Sequence, residues 1–156
     1  MGDGTAGRSL RVSFLVVTGS LSLLFLTLSL VQPVLPGPAG DVTGSVLSVT
    51  CHRLPSRCID LPWGTSGLCA RCTAFWAGIT VGVAVILLTG KRLLPLVPAF
   101  ALVLPMVLDG VLQQTGLYQS NLVLRSVTGF LCGTGIASVT ASLSGRAGRE
   151  TGRDPG

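Results

Sequence analysis

Cys51 and His52 stand side by side, and Cys69 and Cys72 follow as a Cys-x-x-Cys pair, so one short stretch holds four side chains that bind soft metals. Thiolate and imidazole are ligands of tetrahedral Zn²⁺, and Cys-x-x-Cys is the usual chelating half of such a site. Thiolates equally suit Cu(I) or another soft metal ion, and haem ligation is compatible with the same residue types. His52 is awkwardly placed. Adjacent residues of an extended segment point to opposite faces, so Cys51 and His52 share one ion only if the backbone turns sharply between them. Otherwise His52 acts beside the ligands, as a supporting or gating group.

The same residues admit two other readings. In an oxidising compartment, Cys69 and Cys72 with Cys51 and Cys58 as a second pair could exchange thiols and disulfides. A Cys-x-x-Cys at a helix N-terminus has a depressed thiol pKa, and Arg71 between the two sulfurs acts in the same direction. A Cys69–Cys72 or Cys51–Cys69 disulfide could instead simply pin a long loop. Other chemistries lack their parts: with one histidine and six acidic residues the chain shows no Ser-His-Asp arrangement, carboxylate pair or phosphate-binding glycine loop.

A membrane must hold these ligands. The chain of 156 residues is 48% apolar and only 11% charged, against about 25% charged in a soluble domain. Residues 14–31, 73–90, 93–108 and 126–145 carry no charge at all. A helix crosses the hydrocarbon core with about 20 apolar residues, so these stretches predict spans at 12–31, 73–89, 93–108 and 122–143. The expected fold is an all-α, four-helix transmembrane bundle with a long Cys-rich loop, 32–72, between its first two helices. Residues 1–11 and 144–156 read as disordered tails. The first span competes with a cleaved secretory signal, but its apolar run exceeds the roughly 7–15 residues of a signal core, which favours a retained helix.

Within the loop, three prolines and two glycines in residues 32–40 end the first helix. Residues 41–50 read as a short helix capped by Asp41 or as an extended segment, and Pro55 and Pro62 keep the remainder irregular. Loops longer than about 15 residues are usually functional or disordered, and the soft ligands argue for function. Trp76 suits an interfacial aromatic. Gly78 with Gly82, and Gly129 with Gly133 and Gly135, form small-residue faces for close helix packing. Cys132 reads as a small apolar core residue, and the three prolines of the third span predict kinks.

Orientation follows from the basic residues near span ends. Arg8, Arg11, Lys91, Arg92, Arg146, Arg149 and Arg153 fall on one side, and Arg53, Arg57, Arg71 and Arg125 on the other. Seven against four puts both termini in the cytoplasm and the Cys-rich loop outside a multi-pass cell-membrane protein. The bilayer is the expected partner. The net charge of +5 lies in connections and tails, and no nucleic acid is implied. Parity places the loop and the connection after the third span on the same face, where Asp109, Gln113, Asn121 and Arg125 form a supporting polar network. An arginine within a span is costly unless paired, so an Asp109–Arg125 ion pair is expected, with snorkelling of Arg125 to the interface as the alternative.

Four motifs in this order, Cys51-His52-Arg53-Leu54-Pro55-Ser56-Arg57, Leu68-Cys69-Ala70-Arg71-Cys72-Thr73, Asp109-Gly110 with Gln113 and Gly116, and Ser120-Asn121 with Arg125, Thr128 and Gly129, resemble domain of unknown function family 2085. The resemblance spans about residues 48–135 and implies a polytopic membrane protein of bacteria or archaea. It brings a residue set and no activity. Cys58 and Ala74 depart from the family pattern, which implies that Cys58 lies outside any shared site.

Overall fold

The computed structural model describes residues 3–91, 93–116 and 120–150. The chain runs through helix α1 (Asp3–Val31), a short 3₁₀ turn, helix α2 (Gly37–Ser48), a hairpin of β1 (Cys58–Leu61) and β2 (Gly64–Cys69), then helices α3 (Ala70–Thr89), α4 (Leu96–Ala101), α5 (Leu104–Gln114) and α6 (Leu122–Glu150). Among the described residues, four helical stretches are long and apolar enough to cross a bilayer: Gly7–Val34, Ala70–Thr89, Leu96–Gln114 and Leu122–Gly145. The fold is thus the expected all-α bundle with the Cys-rich region between its first two spans.

The boundaries differ from those expected. The first and last spanning helices run past the apolar stretches, to Asp3 and to Glu150. No proline interrupts 3–11 or 144–150, so nothing removes a backbone donor there. The rest of the expected C-terminal tail, 151–156, and Arg92 lie outside the described residues. The third span extends to Gln114, which makes Asp109 helical. It is broken between α4 and α5 because Pro105, second in α5, cannot donate to the carbonyl of Ala101 and its ring crowds that group.

The loop is more ordered than its prolines suggest. Pro36 and Pro38 frame the start of α2, where a missing N–H costs nothing. Asp41 lies inside this helix and does not cap it. Pro62 and Trp63 form the tip of the hairpin, whose strands pair Leu61 with Gly64, Asp60 with Thr65, and Cys58 with Cys69. Gly64 adopts φ 134°, a conformation an L side chain resists, and packs against Pro33.

The bundle core joins α1, α3 and α6 through Leu15, Ile79, Val83, Ile86, Ala137 and Ala141. Ser22 of α1 and Thr80 of α3 share a hydrogen bond of 3.0 Å inside the membrane, as polar residues commonly do between spans. Glycine brings α6 onto α3. Cβ atoms at Gly129 and Gly133 would collide with the carbonyls of Arg71 and Phe75, and one at Gly78 would strike the carbonyl of Phe130. Trp76, expected as an interfacial aromatic, stacks on Phe25 with ring centroids 4.7 Å apart, tying α3 to α1. The aromatic at the span end is Trp63, half exposed, whose indole N–H donates to the carbonyl of Leu30 at 3.0 Å.

Candidate metal centre

Three local structures deliver the three thiols. Cys51 follows α2, Cys69 ends β2 and is the N-cap of α3, and Cys72 lies in the first turn of α3. Strand β2 is pinned where it enters the helix. Buried Ser29 of α1 accepts the backbone N–H of Leu68 at 3.2 Å and meets the Thr73 hydroxyl at 3.2 Å, while Arg53 Nε donates to the Gly67 carbonyl at 2.9 Å. Leu47 and Leu68, both fully buried, close the apolar underside beside Cys51.

The Sγ atoms of Cys51, Cys69 and Cys72 all lie within 4.8 Å of one another. Sulfurs bound at about 2.3 Å to a tetrahedral ion stand roughly 3.8 Å apart, so the triad need close by only about an ångström. All five cysteines are free thiols. Cys51 Sγ accepts the backbone N–H groups of Arg53 at 3.4 Å and Cys69 at 3.5 Å. The first of these needs the chain to double back after His52. Arg53 accordingly has φ 51°, the positive value that a non-glycine residue adopts only under constraint.

This knuckle has an electrostatic consequence. Hydrogen bonds from the Cys69 and Cys72 thiols, and then from backbone N–H groups, hold the Cys51 thiol far below its ordinary pKa. Cys69 is pushed up, chiefly because its proton is engaged by Cys51. The cluster therefore carries one thiolate that is ready for a cation, with the protons of the two thiols that donate to it, Cys69 and Cys72, still to be displaced.

His52, expected among the ligands, is exposed and falls outside the sulfur group; the turn that aims Cys51 inward aims its neighbour away. Cys58 is buried and donates to the Leu54 carbonyl at 3.3 Å, and burial pushes its pKa up. It sits across the hairpin from Cys69 yet outside the triad.

The polar network is rearranged. Asp109, 4% exposed, forms its ion pair with Arg71, whose guanidinium also donates to Gln113 Oε1 at 3.3 Å. The expected pairing of Asp109 with Arg125 is not among the ion pairs of the described residues. Arg125 is buried nearby on α6, and its Nε has no hydrogen-bond partner there. Asn121 accepts the N–H of Leu124 at 2.8 Å, so its side chain caps α6. Starting α3 at Ala70 is the signal that would have found the true pair, because it puts Arg71 on a rigid helix opposite the extended α5.

Beside the triad lies a cavity of about 880 Å³ between the loop, the start of α3 and the inner face of α5, reaching Cys132 of α6. Cys51, Cys69 and Cys72 all line it, and His52 stands on its rim.

A family model described as "Predicted membrane protein (DUF2085)" matches residues 51–139, which include all three triad cysteines, Asp109 and Arg125. An uncharacterised protein of Methanocaldococcus jannaschii is 31% identical over 93 residues, 57% of this chain and 60% of that protein. An uncharacterised protein of Methanothermobacter thermautotrophicus is 36% identical over 95 residues, 60% of this chain and 86% of that protein. The match thus spans less than two thirds of the first relative's length. No solved structure matches.

Proposed function

The chain belongs to the DUF2085 family of predicted membrane proteins, and we propose that within it this protein is a multi-pass membrane protein that holds a soft metal ion on Cys51, Cys69 and Cys72. One observation carries the reading: the free thiol of Cys51, after α2, converges on the Cys69-x-x-Cys72 pair at the start of α3, with all three sulfurs within 4.8 Å of one another. A merely structural cysteine has no need of the strained turn at Arg53 that brings a backbone N–H onto Cys51 Sγ. Three protein ligands with a fourth position facing a cavity is the pattern of a zinc site that acts on a ligand, whereas structural zinc sites are closed by four. Three thiolates also suit Cu(I). Asp109 and Gln113 hold Arg71, and with it the first turn of α3 that bears Cys72. The excess of basic residues at the opposite ends of the spans supports cytoplasmic termini and an outward-facing triad.

Elemental analysis paired with thiol counting on the detergent-purified protein tests this. One equivalent of metal that disappears in Cys69→Ser supports it. Absence of metal together with a reducible disulfide favours the second reading, thiol exchange, which the closeness of the three free sulfurs supports.

A further inference from the structure

We propose that the cavity beside the thiol triad is a binding site for an anionic phospholipid, entered from the bilayer side along α5. The inference does not depend on a metal. At about 880 Å³ the cavity is the size of a small-ligand site, about 300–1,000 Å³. Its lining is segregated along the membrane normal. Gln113 and Gln114 stand at the loop end of α5, while Met106 and Val107 lie two turns deeper, about 10 Å along the helix. Gly110, between them, leaves the wall open: a Cβ there would meet only Arg71 Nη1, at 3.6 Å.

The mouth is rich in hydrogen-bond donors and carries net positive charge. Arg53, Arg57 and Arg71 line it, and Asp109, paired with Arg71, offsets one of the three. Arg71 Nε is buried without a hydrogen-bond partner among the described residues. Arg57 is exposed and forms no ion pair there. Such a mouth complements a head group rich in acceptors and negatively charged, because guanidinium pairs with phosphate through charge-assisted hydrogen bonds. The deeper wall supplies no polar partner and suits the upper part of an acyl chain. Access follows from packing. The third span rests on α6, and Val107 and Val111 remain half exposed where α5 borders the cavity. A cation-lined mouth above an apolar wall open to the bilayer discriminates a lipid from a water-soluble phosphate.

The test uses the full chain in nanodiscs of phosphatidylglycerol mixed with phosphatidylcholine, released gently and weighed by native mass spectrometry. The wild type should retain phosphatidylglycerol several-fold over phosphatidylcholine. Val107→Trp, which fills the deep wall, should lose the retained lipid, and Arg57→Gln should lose the preference between lipids. Arg57 is exposed in the loop, so its variant decides the matter even if Val107→Trp folds poorly. Equal retention of the two lipids by the wild type overturns the proposal. So does an unchanged preference in Arg57→Gln, or displacement of the lipid by glycerol phosphate at matched concentration.

Discussion

Arg71, in the first turn of α3 and one residue before Cys72 of the thiol triad, is ion-paired with Asp109 of α5. The pair borders the cavity through Arg71 and joins the third span to the helix whose start carries Cys69 and Cys72. The carboxylate is 4% exposed, so it cannot turn to water if Arg71 is lost, whereas Arg71, 17% exposed, borders the cavity. Removing one member of a buried pair costs about 3–5 kcal/mol, far more than the pair is worth against an apolar replacement.

Asp109→Ala should therefore destabilise the protein by about 3 kcal/mol, and the Arg71→Met, Asp109→Leu double variant should recover most of the loss. A double-mutant cycle followed by unfolding in mixed micelles should give a coupling above about 1 kcal/mol for Arg71 with Asp109, and close to zero for Arg125 with Asp109. Strong coupling to Arg125 would restore the pairing that the sequence alone suggests.

That mispairing shows where sequence reasoning stops. The four charge-free stretches made the spans legible, because lipid excludes charge regardless of the fold. Cys51, Cys69 and Cys72 were legible as a ligand set by residue type. The parity of the spans brought Asp109 and Gln113 to the same face. What was hidden is local backbone geometry. Three residues of extra helix before Thr73 decide that Arg71 and not Arg125 meets Asp109. A left-handed Arg53, which nothing in its side chain favours, decides that Cys51 turns inward and His52 outward. The hairpin was obscured by Pro62, which reads as a breaker and in fact forms the tip.

The ligand assignment predicts a sharp division among variants. Cys51→Ser, Cys69→Ser and Cys72→Ser should each abolish stoichiometric metal. Changes to groups that merely support a metal site cost about 10–100-fold in affinity, so the three serine variants should lose more than this. His52→Ala and Cys58→Ser should retain one equivalent, since His52 is exposed on the cavity rim and Cys58 lies outside the sulfur group. Mass-spectrometric metal analysis of the five proteins decides it; loss of metal from His52→Ala would bring the histidine back into the ligand set.

Metal affinity should rise with pH, and the sign follows from the thiols. Cys51 is held low by its hydrogen bonds, so it is ionised throughout the neutral range and contributes no slope. Cys69 is raised, mainly through its bond to Cys51, so it keeps its proton until an ion displaces it. Each displaced proton makes the apparent affinity increase about tenfold per pH unit, up to the elevated pKa of Cys69, above which that dependence flattens. Chelator competition at a series of pH values measures the slope. A flat profile across the neutral range would mean that neither Cys69 nor Cys72 gives up a proton to the ion, and would remove both from the ligand set.

The closeness of α6 to α3 sets the position of the whole triad. A Cβ at Gly129 would collide with the Arg71 carbonyl and lie 3.3 Å from its Cα, and a first-turn carbonyl flanked by Arg71 and Cys72 has no flexible end that can yield. Gly129→Ala must therefore push the two helices apart at the turn that presents Cys72, at a cost of about 1–3 kcal/mol for overpacking. Gly133→Ala, one turn deeper, meets the Phe75 carbonyl and should cost similar stability, yet it strains the helices farther from the sulfurs. Gly110→Ala has room and serves as the control. The expected order of metal affinity is wild type and Gly110→Ala together, then Gly133→Ala, then Gly129→Ala. Because the two α6 variants are matched in stability loss, a difference between them reports on triad geometry, and equal affinities would show that Gly129 serves packing alone.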